Sequence, residues 1–259
     1  MTVVEKYKHG TFSWVDLVAH DLGAATEFYG NLFGWRAAPA DTDGGPPYTM
    51  FRLRDVPVAG GGQMSDEMKS QGIPPMWNSY INVDDIQAVA DQASELGATI
   101  TVPPMKVMDA GWLAFIKDPT GGHVGFWQDG EHCGAGLVNE PGAFCWNELA
   151  TRDIDAASEF YGQLLGWTYK PMENTPSRYL IIENDGRGNG GLLQMNEEWG
   201  DLPPHWMVYF SVADTEASAA RVKELGGAVN VPPFDTSVGK ISVVADPQGG
   251  HFSLIQLDQ

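Results

Sequence analysis

Two stretches at matching places in the chain put a carboxylate two residues after a tryptophan: Trp14-Val15-Asp16 and Trp146-Asn147-Glu148. A carboxyl group held among apolar side chains loses hydration, and its pKa rises. It can then give or take a proton near neutral pH. The competing reading of Asp16 and Glu148 is structural, as acceptors for backbone N–H groups or for another part of the chain. Two histidines, His123 and His251, each follow an Asp-Pro-x-Gly-Gly turn. Either they act as acid–base groups, as imidazoles can near neutral pH, or they only cap the turn. No nucleophile motif stands out. There is no Gly-x-Ser-x-Gly, and Cys145 lies between Phe144 and Trp146 with no base nearby in sequence. The glycine-rich stretches at 44–47 and 184–191 lack the strand–GxxxxGK[ST]–helix setting of a phosphate loop. Cys133 and Cys145 form neither a CxxC nor a Cys/His zinc pattern.

These residues need elements to hold them. Phe12, Trp14 and Asp16 alternate with Val15 and Leu17, which predicts a strand. Asp21 suits a helix N-cap, and the helix it opens stops at Gly34. Strand-like runs follow near Tyr48–Leu53 and Val58–Met64, then at Asn78–Val83. A second helix is expected from a cap near Asp84 to Gly97, and a last strand at His123–Gln128. Phe28, Tyr29, Phe160 and Tyr161 fall on helices at core spacing and read as packing residues.

The whole arrangement occurs twice. "WVDLVAHDLGAATEFYGNLFGW" from Trp14 aligns without a gap on "WNELATRDIDAASEFYGQLLGW" from Trp146. "ELGATITVPP" from Glu95 matches "ELGGAVNVPP" from Glu224, and "DPTGGHVGFW" from Asp118 matches "DPQGGHFSLI" from Asp246. A period this long in two copies means tandem domains, not a solenoid. The expected boundaries are 9–128 and 142–257, with a linker at 129–141.

The doubled pattern of Asp, Phe-Tyr, Gly-Trp, Glu-Leu-Gly and Asp-Pro-x-Gly-Gly resembles the vicinal oxygen chelate superfamily. That superfamily includes glyoxalase I, extradiol dioxygenases and bleomycin-resistance proteins. The resemblance covers nearly the whole chain. Within the superfamily it points to a tandem-domain actinobacterial glyoxalase-like subgroup, some of whose members carry the label hydroxylase. It implies an α+β fold of four βαβββ modules, two in each half, forming two cup-shaped eight-stranded mixed sheets. In metal-using members each cup holds a divalent ion on four His, Glu or Gln ligands. Here those positions map to Trp14, Gln63, Asn78 and Gly125 in the first half. In the second they map to Trp146, Gln194, Met207 and Ser253. An indole N–H cannot ligate a metal, and of the first-half set Gln63 alone is of the family's type.

Strand parity then fills the cups. Trp14, Asp16, Asn78, Tyr80, His123 and Trp127 fall on the cup side of the first half, with Gln63 nearby. Trp146, Glu148, Met207, Tyr209 and His251 fall on that of the second. Asn147, on the helix side, breaks the apolar pattern there. Aromatics with a few polar groups make a small-molecule pocket. The opposing reading is that Trp14 and Trp146 plug the cups as core, and that Tyr80 and Tyr209 are packing residues with a bonded hydroxyl.

The expected function is therefore metal-independent binding of a small, mostly apolar organic molecule, for sequestration or modification. Trp14, Tyr80, Trp127, Trp146 and Tyr209 would line the pockets, and Asp16, Gln63, Asn78 and Glu148 would orient the ligand. Asp16, Glu148 and His123 are the candidates for any catalysis. No cofactor is expected. The alternative is a metal-dependent glyoxalase-type lyase or dioxygenase, for which Asp16, Gln63 and His123 would make an unorthodox site.

Composition narrows the partners. The 259 residues carry 34 acidic against 15 basic side chains, a formal charge of −19. Such a surface repels phosphate backbones and anionic lipid, so neither nucleic acid nor a membrane surface is expected as a partner. No apolar run approaches the roughly 20 residues that span a bilayer, and no secretory signal is visible. The expectation is a cytoplasmic monomer or homodimer.

Overall fold

The computed structural model describes residues 3–173 and 175–257. The first half runs β1 (Phe12–Ala19), α1 (Leu22–Phe33), β2 (Arg36–Pro39), β3 (Tyr48–Leu53), β4 (Val56–Gln63) and α2 (Asp66–Ser70). It continues β5 (Met76–Asn82), α3 (Ile86–Glu95), β6 (Thr99–Val107), β7 (Gly111–Lys117) and β8 (His123–Asp129). The second half repeats it. It runs β9 (Phe144–Thr151), α4 (Ile154–Leu165), β10 (Thr168–Met172), β11 (Tyr179–Asn184) and β12 (Arg187–Gln194). A short 3-10 turn at Glu197–Trp199 leads to β13 (His205–Ser211), α5 (Thr215–Glu224), β14 (Ala228–Thr236), β15 (Gly239–Ala245) and β16 (His251–Leu257). Each half forms its own eight-stranded mixed sheet, in the order β2-β3-β4-β1-β5-β8-β7-β6 and its counterpart. The fold is α+β, with two tandem domains. Among the described residues no helix is long and apolar enough to cross a membrane.

Local chemistry sets the element ends. Asp21 caps α1 by accepting from the Ala24 N–H, and Gly34 ends the helix at φ 73°, a left-handed conformation that costs glycine little. The second helix starts one residue later than the spacing suggests. Asp85, not Asp84, is the cap, accepting from Gln87 N and Ala88 N. Strand alternation is interrupted at the start of β1 and of β9, where the register shifts between Phe12 and Trp14 and between Phe144 and Trp146. The extra residue turns Phe12 away from the face that carries Trp14. Phe12 packs instead on Trp167 and Trp206 of the second half, at ring separations of 5.7 and 5.1 Å.

The two halves share one core, joined by reciprocal hydrogen bonds. Tyr29 Oη donates to Asp246 Oδ2 at 2.9 Å and accepts from Trp77 Nε1 at 3.0 Å. Tyr161 Oη donates to Asp118 Oδ2 at 2.8 Å and accepts from Trp206 Nε1 at 3.2 Å. Trp35 Nε1 donates to the Gly142 carbonyl, and Trp167 Nε1 to the Gly10 carbonyl. The repeated Phe-Tyr, Gly-Trp and Asp-Pro-x-Gly-Gly motifs are thus the contact between halves. Asn147, which breaks the apolar pattern of β9, accepts from Ser79 Oγ at 2.7 Å inside this interface. The connector is also built in. Ala135 and Leu137 are fully buried, Ala135 N donates to the Ser13 carbonyl, and Val4 N donates to Gly136.

Candidate functional site

The concave face of the first sheet encloses a cavity of about 750 Å³. Trp14 and Asp16 from β1, Tyr48 and Met50 from β3, Tyr80 from β5 and Trp127 from β8 form its floor and walls. The hairpin segment 105–110, the loop near 40–46, and Glu131 and His132 from the connector form its rim. The central strands place the polar group at the floor, because Asp16 stands opposite Asn78 across the antiparallel β1–β5 pair.

Asp16 is almost fully buried and accepts three hydrogen bonds. Asn78 Nδ2 donates to Oδ1 at 2.9 Å; Tyr80 Oη and Tyr48 Oη donate to Oδ2 at 2.9 and 3.2 Å. Trp14 Nε1 donates to Tyr48 Oη at 3.1 Å, so the indole is tied into the same network. Burial pushes the Asp16 carboxyl above the usual carboxylate range, and the three donors pull it part of the way back. Burial and the Asp16 charge drive the Tyr48 and Tyr80 hydroxyls well up, so both stay protonated donors. Gly60 makes the arrangement possible. A Cβ there would lie 1.9 Å from Tyr48 Oη.

His132 stands edge-on to Trp14, with ring centroids 4.5 Å apart and planes at 86°. Its backbone carbonyl accepts from Trp127 Nε1 at 2.8 Å. Burial, with Arg52 adding to it, lowers the imidazole pKa to about 4, so the ring is neutral at ordinary pH.

The second cup repeats the network with a longer acid. Tyr209 Oη donates to Glu148 Oε1 at 2.9 Å, and Trp146 Nε1 donates to Tyr179 Oη at 2.9 Å. Burial raises the Glu148 carboxyl as well, against the donors Tyr209 and Tyr179. The cups then diverge. Ile255 occupies the position of Trp127, and Ser253 that of Gly125, by the pairing of β13 with β16 and of β5 with β8.

The sequence-derived residues thus separate into groups. Trp14, Asp16, Tyr80 and Trp127 line the first cup, and Asn78 holds Asp16 without itself lining the cavity; Trp146, Glu148 and Tyr209 meet in the second. Gln63 belongs to neither, and its expected orienting role is corrected. Its Oε1 accepts from Leu22 N at 3.1 Å and its Nε2 donates to the His20 carbonyl at 2.6 Å, fastening the start of α1. Gln194 does the same at Ile154 and Arg152. His123 is corrected too. It sits exposed at the entry of β8 opposite Lys117, outside the cavity wall. Tyr48 and Tyr179 were missed, although they recur at matching places in the two halves. His132 left no such signal, because it lies in the connector.

A divalent metal of the kind used elsewhere in the superfamily does not fit this donor set. At the four corresponding positions of the first cup, Trp14 offers only an N–H, which it gives to Tyr48. Gln63 is spent on α1, Asn78 directs its amide nitrogen at Asp16, and Gly125 has no side chain. The space at Gly125 is filled by the Tyr80 ring, 2.6 Å from where a Cβ would be.

Comparison with known proteins agrees with the doubled fold. The family model of the Glyoxalase/Bleomycin resistance protein/Dioxygenase superfamily matches residues 11–126, and that of the glyoxalase-like domain matches 145–255. The chain is 41% identical over 254 residues to CFP32 of Mycobacterium tuberculosis, provisionally named a glyoxylase. That alignment covers 97% of this chain and 96% of the relative. It is 31% identical over 267 residues to the anthracycline biosynthesis protein DnrV of Streptomyces peucetius, covering 97% and 95%. Among solved structures it is similar to a Mn(II)-bound glyoxalase from Novosphingobium aromaticivorans, with TM-score 0.66, 13% identity, and coverage of 97% and 85%. It is equally similar to the 2,3-dioxygenase LapB from Pseudomonas sp. KL28, with TM-score 0.66, 13% identity, and coverage of 98% and 94%. At that identity the likeness is one of fold alone.

Proposed function

The chain belongs to the glyoxalase/bleomycin resistance protein/dioxygenase superfamily, and we propose that its first cup binds a small, mostly apolar organic molecule without a metal. The observation that carries this reading is the cavity of about 750 Å³ walled by Trp14, Tyr48, Tyr80 and Trp127, with Asp16 as its polar floor. That volume lies within the roughly 300–1,000 Å³ of drug-sized ligand sites, and aromatic walls with a few fixed polar groups are their usual lining. Flat ligands gain most from such walls, because offset stacking adds to the burial of area. DnrV, by name a protein of anthracycline biosynthesis, makes planar polycyclic compounds a sensible first probe.

Binding serves either sequestration or modification of the ligand. For modification, Asp16 is the group to take up a proton, since its burial favours the protonated form and it lies on the cavity floor. Pairing of the two halves within one chain supports a monomer as the working unit, with a homodimer as the alternative.

The test is calorimetric titration of the protein with 1,8-dihydroxyanthraquinone, with and without EDTA. We expect saturable binding at one site per chain, unchanged by EDTA and weakened at least about tenfold by Trp127→Ala. Binding that requires added Mn(II) or Zn(II), or about one metal ion per chain after purification without chelator, would overturn the reading. It would favour lyase or dioxygenase chemistry instead.

A further inference from the structure

The first cup has an electrostatic sign as well as a shape. Its floor carries Asp16, and its rim carries Asp41, Asp109 and Glu131. Against these four acids the described lining residues include one cationic side chain, Lys106, whose Nζ is 3.2 Å from Asp109 Oδ1, and Arg52, outside that lining, acts on His132. His132 adds no compensating charge, because it stays neutral until the pH falls to about 4. A cleft lined by one sign of charge between low-dielectric walls concentrates counter-ions, and the −19 net charge of the chain adds to that attraction.

The floor and walls match a cation in detail. Asp16 Oδ2 already accepts from two tyrosines, whereas among the described residues Oδ1 accepts from Asn78 alone, one bond fewer. Tyr48 and Tyr80 contact that carboxylate, and Trp14 and Trp127 line the same cavity. Aromatic rings around a carboxylate attract an ammonium group through their quadrupoles and the charge together, most strongly where water is displaced. A carboxylate or phosphate on the ligand would instead face four acids.

Resting on the reading of the cup as a ligand site, we propose that its ligand is an amine: a protonated amino group seated against Asp16 Oδ1, carried on a flat apolar body that lies along Trp14 and Trp127.

Three probes with one ring system separate charge from shape. They are 2-naphthylmethylamine, 2-naphthalenemethanol and 2-naphthoate, titrated calorimetrically at pH 7 and low ionic strength. The expected result is that the amine binds at least about tenfold more tightly than the alcohol, and the acid more weakly than either. In folded Asp16→Asn the advantage of the amine over the alcohol should shrink to within about twofold, whatever the absolute affinity of the alcohol. If the alcohol matches the amine in the wild-type protein, the inference fails while the cup remains a binding site. If none of the three binds, the reading of the cup fails and takes the inference with it. The wild-type comparison decides the sign of charge even if Asp16→Asn does not fold. A preference for the amine that survives in folded Asp16→Asn would place the ammonium elsewhere and overturn the assignment.

Discussion

Asp16 is a carboxylate that the fold buries and then surrounds with donors. Because its pKa is raised in the folded state, it contributes stability below the ordinary carboxylate range and loses that contribution as pH rises through the folded value. Glu148 acts in the same direction. Asp16→Asn removes the titration, so the stability of the variant relative to wild type should improve as pH rises from the ordinary carboxylate range through the raised folded value. Urea denaturation at a series of pH values measures it, and a flat difference would mean that Asp16 titrates normally. Gln63 gives the contrasting case. Its amide closes the start of α1, so Gln63→Ala should cost about 1 kcal/mol of stability, as lost helix caps do. The affinity of the folded protein for 1,8-dihydroxyanthraquinone should not change. A loss of affinity at full stability would return Gln63 to the site.

At the scale of elements, the network depends on backbone that leaves room for it. On β4, Gly60 admits the Tyr48 hydroxyl, and on β12 Gly191 admits Tyr179, where a Cβ would again lie 1.9 Å from the oxygen. Gly60→Ala must push Tyr48 off Asp16. We expect a loss of about 1–3 kcal/mol by overpacking, together with weakened probe binding. Stability and affinity measured on the same preparation check both. The strands also meet the opposite half through α1 and α4. Tyr29→Phe would leave the buried Trp77 N–H without its acceptor and Asp246 one donor short. Chemical denaturation should show a loss of about 1–3 kcal/mol, and a neutral result would mean that Trp77 finds another acceptor.

For the whole molecule, the two sheets are not separable beads. Phe33, Trp35 and Trp77 of the first half pack on Phe210 of the second, at ring separations of 5.0 to 5.5 Å. The reciprocal Tyr–Asp bonds cross the same boundary. Unfolding should therefore be a single cooperative transition, with far-UV circular dichroism and tryptophan fluorescence coinciding in urea. Two resolved transitions would show that each half is stable alone. The chain duplicates the fold but not the site: Trp127 and His132 furnish one cup, whereas Ile255 takes the place of Trp127 in the other.

The sequence by itself determined the architecture. A gapless 22-residue match, helix-capping aspartates and period-two alternation are local signals, and each recurs in both halves. They were enough to place β1, α1, β3, β4, β5, α3, β8 and the tandem arrangement, and to pair Trp14 with Asp16 on one face, but not to locate β2, α2, β6 or β7. Tertiary structure alone decided what the side chains do. Parity could not foresee the bulge that turns Phe12 to the interface. Nor could it show that Gln63 faces a helix start, since an amide reads the same wherever its partners lie. The Phe-Tyr and Asp-Pro-x-Gly-Gly motifs read as packing and turn, yet they bond to each other across the halves, which no single half contains. His132 entered the cavity from a connector without a repeat, because only the folded chain brings that segment across the mouth of the cup. Partners distant in sequence fix hydrogen bonding, burial and hence charge, and those are the properties that make a face of aromatic residues into a site.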